Sequence, residues 1–193
     1  MPARGRPGYD ADAVLRTAAE VFHERGYDGT SMELLAGRLG ITKSAIYHHV
    51  SGKEELLRRT VDRALDALLA VAGEPESQRG PAIDRLQHVL RRSVEVLVAE
   101  QPFVTVLLRV RGNSAVERQA LARRREIDAY LAELVAAAAA DGALRPDVDP
   151  ALTTRLLFGM VNSVIEWYRP DSGLSAAELA DAVAALAFDG LRR

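Results

Sequence analysis

Residues 35–57 read LAGRLGITKSAIYHHVSGKEELL, and the way this stretch breaks decides the fold. Just before it, Thr30 and Glu33 have the spacing of a capping box, and Met32, Leu34, Leu35, Ala36 and Leu39 follow at helical intervals. Gly40 stops that helix. Only Ile41 and Thr42 separate it from a short helix expected over 43–49, so the two must turn sharply against each other. The short helix carries Thr42, Lys43, Ser44, Tyr47, His48 and His49, with Ala45 and Ile46 as its main apolar side chains. It is too polar for a core element and too short to stand alone, which is the character of a helix presented to a partner. Ser51 and Glu54 form a second capping box that opens a helix from about residue 53 through 71.

Upstream, Asp10 can cap a helix whose apolar set Val14, Leu15, Ala18, Ala19, Val21 and Phe22 recurs at helical spacing, and Gly26 ends it. The exposed chemistry of 42–53 suits a duplex. Lys43 and Lys53 can meet phosphates, Thr42 and Ser44 can bond phosphates or base edges, and Tyr47 can pack on sugar and phosphate. These are the only two lysines among 25 basic residues, and they bracket one short segment. A Thr/Lys/Ser/Tyr/His cluster standing alone is usually a solvated helix face. Here two capping boxes, the turn at Gly40 and the upstream Phe22 to Gly26 spacing agree in one order, which favours a recognition helix.

The stretch 35–57 resembles the helix-turn-helix of the tetracycline-repressor (TetR) family of transcriptional regulators, with its aromatic at Tyr47, His48 and His49 beside it, and a lysine at Lys53. Residues 18–36, AAEVFHERGYDGTSMELLA, fit the same family in their small-residue, Phe and Gly pattern. The likeness covers about the first 60 residues; beyond them only length and helix count agree. It implies an all-α protein of about nine helices: a three-helix DNA-binding domain over 1–52, then a helical ligand-binding and dimerisation domain over 53–193. It also implies a repressor that binds a palindromic operator as a homodimer and is released by a small-molecule effector. Thr30, Ser31, Lys43, Ser44, Ala45, Tyr47, His48 and His49 would then contact the major groove, and Lys53 a phosphate beside the N-terminus of its helix. The turn 51–52 offers no basic side chain, so affinity would lean on Arg4 and Arg6 as a minor-groove arm. An inert solubilising tail is the competing reading of those two residues.

Composition bounds the rest. Hydrophobic residues make up 48% and aromatics 5% of 193 residues, a balance weighted to Ala, Leu and Val that favours helix. With no Cys, disulfide scaffolds, cysteine nucleophiles and thiolate metal sites are excluded. No apolar stretch approaches the roughly 18 residues of a membrane span, and the N-terminus has no apolar run of a signal peptide, so a cytoplasmic protein is expected. A net charge of −2 gives no global sign of nucleic acid. An enzyme is the second reading, and the sequence offers it little. His48 and His49 diverge by about 100° on a helix and do not chelate one metal. Tyr47 stands where a phosphate loop ending at Gly52-Lys53 needs its first glycine, and neither a paired carboxylate nor a nucleophile elbow is present. No cofactor and no metal are expected. A helical protein-interaction module with a vestigial DNA site is the third reading.

After a breaker-rich loop at 73–81, helices are expected at 82–99, 102–111, 114–141, 150–168 and 176–192. In 150–168, Leu152, Leu156, Leu157, Phe158, Met160, Val161, Val164 and Ile165 surround most of the circumference. Such a helix is buried on two sides, and a second subunit would supply one of them, unless the helix is simply central in one core. The resemblance makes the last two helices a four-helix dimer interface, and a two-fold pair sets its recognition helices about 34 Å apart, one turn of duplex. It also implies a pocket in the second domain, for which Phe103, Leu107, Arg111, Tyr130, Asn162, Glu166 and Trp167 offer aromatic walls and a few polar groups. Arg109, Arg111 and the run 123–125 can attract an anion such as an acyl thioester, although a charge run is usually a solvated face.

Overall fold

The computed structural model describes residues 10–145, 147 and 149–189, and the described residues form ten helices with no strand of a sheet between them. Arg4, Arg6 and the end of the last expected helix lie outside the described residues. The helix α1 (Ala11–Arg25) starts where Asp10 accepts a hydrogen bond from the Ala13 N–H at 2.7 Å, and it buries Val14, Ala18, Ala19, Val21 and Phe22. The expected Thr30–Glu33 box is displaced by one residue. In α2 (Met32–Leu39) it is the Ser31 hydroxyl that accepts from the Leu34 N–H at 3.1 Å. Thr30 is buried, and its hydroxyl donates to the Gly26 carbonyl at 2.7 Å, pinning the α1–α2 turn. Gly29 permits that turn, since a Cβ there would lie 2.5 Å from the Arg25 carbonyl oxygen.

Gly40 then takes the left-handed conformation at φ 65°, and its N–H returns to the carbonyls of Ala36 and Gly37. The next helix, α3 (Lys43–Tyr47), is shorter than expected and is capped by the Thr42 hydroxyl, which accepts from the Ala45 N–H at 3.2 Å. In α4 (Lys53–Ala72) the carboxylate that closes back on Ser51 is Glu55, not Glu54: it accepts from both the backbone N–H and the hydroxyl of Ser51, each at 2.5 Å.

Inside the expected 73–81 loop sits α5 (Pro75–Gln78), the tenth helix. Pro75 suits its first turn, and the buried Ser77 hydroxyl donates to the Val71 carbonyl at 2.6 Å, which ends α4 without open solvent between them. The remaining helices are α6 (Ala82–Ala99), α7 (Gln101–Arg109), α8 (Ala115–Ala140), α9 (Pro150–Trp167) and α10 (Ala176–Asp189). Glu74, ahead of α5, is bonded by His88 at 2.6 Å and Arg92 at 3.0 Å, both on α6. Glu76 joins Glu74 and His88 within 4.8 Å, but Arg92 already neutralises Glu74, so this corner is an ion-paired joint.

The layout positions two candidate sites. α1 and α2 carry α3 at one end, and α1 packs against both α4 and α7. The long α4 leaves α3 and continues beside α6, α7 and α8, while α6 is flanked by α8, α9 and α10. One buried cluster runs through both halves, from Val14 to Phe188. Arg63, midway along α4, ties the halves together: it meets Glu100 between α6 and α7 at 2.7 Å, bonds Asp12 of α1, and lies 4.2 Å over the ring of Phe103 of α7.

Among the described residues, the Thr60 hydroxyl of α4 is the buried side-chain polar atom that lacks a hydrogen-bond partner. Thr60→Val keeps the shape and removes that desolvated group, so it should raise unfolding stability by about 1 kcal/mol in urea titration; a destabilised variant refutes this.

Candidate nucleic-acid interface and effector site

The orientation of α3 follows from one residue. Ile46 is fully buried, and on a helix of this length the opposite face must look outward. Thr42, Lys43, Ser44, Tyr47 and His48 are exposed, Ala45 and His49 half-buried, and Tyr47 shows 46% of its surface despite its large ring. Ser31, exposed at the start of α2, belongs to the same end of the molecule. Of the residues expected in the major groove, Thr30 is the one the fold buries, with its hydroxyl on the Gly26 carbonyl.

Both lysines already have partners here. The Lys43 ammonium bonds the Glu33 carboxylate of α2, and this hydrogen bond lowers the pKa of Glu33 and raises that of Lys43. Lys53 donates to the Tyr27 carbonyl at 2.9 Å and lies 4.3 Å over the Tyr27 ring, so it locks α4 to the α1–α2 turn rather than reaching out. No side chain caps the first N–H groups of α4. The Glu33–Lys43 pair and the Arg38–Glu24 pair between α2 and α1 escaped the sequence reading, because pairing across helices depends on the turn angle and not on spacing.

The seven residues expected in an effector pocket do not converge. Phe103 is fully buried under the guanidinium groups of Arg63 and Arg16. The Tyr130 hydroxyl donates to the Ser77 carbonyl at 2.8 Å. Arg111 lies beside Tyr27 and Glu117 in a cleft of about 240 Å³, and Glu166 in another of about 490 Å³ between α1, α7 and α9. Trp167 is 54% exposed on the outward face of α9 with Leu152 and Leu156, so it walls none of these cavities. Leu107 and Asn162 do meet, in a slot of about 40 Å³ lined by Leu68, Leu97, Val104, Phe158 and Val161. Phe158 and Asn162 also line an open cleft of about 480 Å³ between α8 and α9, with Arg124, Asp128 and Arg155. The Arg run 123–125 thus divides: Arg123 bonds Asp62 and Asp66 of α4, at 2.8 and 2.5 Å, while Arg124 turns to the cleft.

Two family descriptions match this chain: "Bacterial regulatory proteins, tetR family" over residues 14–60, and "Tetracyclin repressor-like, C-terminal domain" over residues 79–191. The chain belongs to the TetR family. SCO3833, a TetR-family regulator from Streptomyces coelicolor, is 56% identical, with a TM-score of 0.87 over 100% of this chain and 96% of that one. The transcriptional repressor KstR2 of Mycolicibacterium smegmatis is 24% identical over 194 residues, covering 96% of this chain and 92% of the relative. AibR, solved with isovaleryl coenzyme A and operator DNA, is 26% identical with a TM-score of 0.78, covering 92% and 97%. As a TetR-family member the chain is a ligand-responsive DNA-binding transcription factor rather than an enzyme. Among the described residues, no helix is long and apolar enough to cross a membrane.

Within this TetR-family fold, the Glu33 carboxylate sits where it competes with phosphate for Lys43. Glu33→Gln should tighten binding to duplex DNA and steepen its salt dependence by about one counterion per half-site, read by fluorescence anisotropy across a salt series; an unchanged slope removes Lys43 from the phosphate contact. The Glu55 carboxyl, bonded first by the Ser51 hydroxyl and next by the Ser51 N–H, falls from its ordinary 4.5 to about 2. A depressed carboxyl stabilises the fold fully above pH 4.5 and ceases to do so as pH falls through 2. The wild type should therefore lose stability over that window relative to Glu55→Gln, measured by denaturation midpoints at each pH; parallel pH profiles contradict the assignment.

Proposed function

We propose that this chain is a repressor that binds a palindromic operator as a homodimer, through α3 of each subunit, and releases it when a small-molecule effector occupies the second half. The DNA-binding unit is 1–52 and the effector and dimerisation unit 53–193. The carrying observation is the outward face of α3, fixed by the buried Ile46 and bearing Thr42, Lys43, Ser44, Tyr47 and His48. Ser31, Ala45 and His49 border that face and contact the groove at its edges. Lys53 positions the open N-terminus of α4 for a phosphate, from its anchor on Tyr27. Repressors among the relatives, KstR2 above all, support the negative sign of regulation, and the AibR complex supports a small-molecule effector. Work on chromosomal DNA sets the protein in the cytoplasm.

Dimerisation rests on large apolar side chains left uncovered by the described residues. Leu152, Leu156 and Trp167 lie on one face of α9 at 55%, 63% and 54% exposure, and Leu186 of α10 is 75% exposed. Large apolar side chains this open along one face of α9 mark a subunit interface. Release follows from α7 and α4. α7 gives Val104 and Leu107 to the slot, sets Phe103 under Arg63, and holds the His23 carbonyl of α1 through Arg109 at 3.0 Å. An effector that shifts α7 therefore moves α1 and, through α2, the recognition helix α3; a coupling of about 1–3 kcal/mol changes DNA affinity roughly five- to 150-fold.

Gel-shift titration against the DNA upstream of its own coding sequence tests this reading. Nanomolar, salt-sensitive binding is expected, and binding no tighter than to random DNA overturns it. Leu156→Glu should convert the dimer to a monomer in analytical ultracentrifugation and weaken operator binding at least tenfold; a dimer that persists moves the interface elsewhere.

A further inference from the structure

Most arginines of the second half are held by this chain: Arg63 by Glu100 and Asp12, Arg92 by Glu74 and Glu95, Arg123 by Asp62 and Asp66. Arg124 on α8 and Arg155 on α9 are different. Neither has a hydrogen-bond or ion-pair partner among the described residues, and both line the cleft of about 480 Å³ that opens between their helices. Two guanidinium groups on facing helices, without carboxylates of their own, form a fork that fits carboxylate or phosphate oxygens. Asp128 lies on the same wall as Arg124, leaving two cations against one anion along the cleft.

The floor of this cleft is continuous with the slot. Arg124, Asp128, Phe158 and Asn162 line both, and behind them Leu68, Leu97, Val104 and Leu107 form the apolar wall of a recess of about 40 Å³. With about 10–15 Å³ needed per water-sized group, such a recess takes about three such groups, a short alkyl chain rather than a ring system. Asn162 stands at the junction, where its amide can donate to a carbonyl oxygen. Leucine and valine side chains line the slot alone, Arg124, Asp128, Phe158 and Asn162 the part it shares with the cleft, and Arg155 the cleft alone.

We propose that this path binds an amphipathic anion, with a short acyl chain in the slot, its carbonyl at Asn162 and its negatively charged head between Arg124 and Arg155. This rests on the reading of the chain as an effector-responsive regulator and names the chemical class of the effector. In a free short-chain carboxylate one group meets both Asn162 and the arginines; in an acyl thioester of a phosphorylated carrier the carbonyl meets Asn162 and the phosphates, a separate group, meet the arginines. Binding at this site puts alkyl carbons against Val104 and Leu107 of α7, the helix that also grips α1.

Isothermal titration of the full chain with butyrate, with butyryl-coenzyme A and with free coenzyme A distinguishes the sources. One ligand per chain is expected from butyrate or from butyryl-coenzyme A, and which of the two binds names the source. Across acetyl, propionyl and butyryl homologues, affinity should rise about fourfold per methylene until the slot is full. Arg124→Gln and Arg155→Gln should each weaken binding about tenfold, whereas Asp128→Asn should strengthen it; a merely structural role does not produce opposite signs. All three side chains stand at the cleft surface, and circular dichroism checks that each variant folds. The proposal is overturned if neither acyl compound binds, if free coenzyme A binds as tightly as its thioester, or if the arginine variants bind unchanged. Operator gel shifts on the same preparations separate the two readings. Tight operator binding without acyl binding sinks the ligand class alone, and acyl binding without operator binding sinks the regulator reading alone.

Discussion

The burial of Ile46 is the contact on which the rest of the DNA-facing end depends. A five-residue helix has no stability of its own, so α3 exists because one apolar side chain is held in the core and the Thr42 hydroxyl closes its first turn. With Ile46 fixed, the direction of Lys43, Ser44 and Tyr47 is fixed as well. Gly40 completes the constraint: its left-handed backbone lets α3 cross α2 after only two intervening residues.

The second organising feature is that no boundary in the core divides the two halves. α1 lies against α4 and α7 at once, and Arg63 grips α1, the α6–α7 corner and the Phe103 ring together. Salt-bridged Arg123 clamps α8 to α4 in the same way. A displacement at α7 therefore has packed side chains and charge-assisted bonds on every side through which to travel, as coupling between distant sites requires.

The all-α class, the α2–α3 turn and nine of the ten helices among the described residues were legible in the sequence, because caps, glycines and apolar spacing are local signals. The errors were of the same local kind. Neighbouring residues Thr30 and Ser31 are both able to cap, and only the three-dimensional turn reveals that Thr30 faces inward to the Gly26 carbonyl. Glu54 and Glu55 differ in the same way. The short α5 was hidden among loop-forming residues. Of the effector residues, Leu107 and Asn162 share a cavity among the described residues while Arg111, Glu166 and Trp167 lie elsewhere, because aromatic and polar character says nothing about which helix faces meet. Phe158 with Asn162, and Arg124 with Asp128, are each spaced at i, i+4, so each pair was visible as one face; the pairing of α8 with α9 was not.

The Glu33–Lys43 pair has a consequence for how such a protein would find its target. A carboxylate standing in for phosphate on the recognition helix means that every encounter with a duplex begins by displacing an internal anion. Random sequence offers only backbone charge in exchange, while a matched site adds contacts to bases. Sojourns on every sequence are shortened by the same factor, so the preference for the matched site is kept, and a molecule that lingers less on the bulk of a genome surveys it faster.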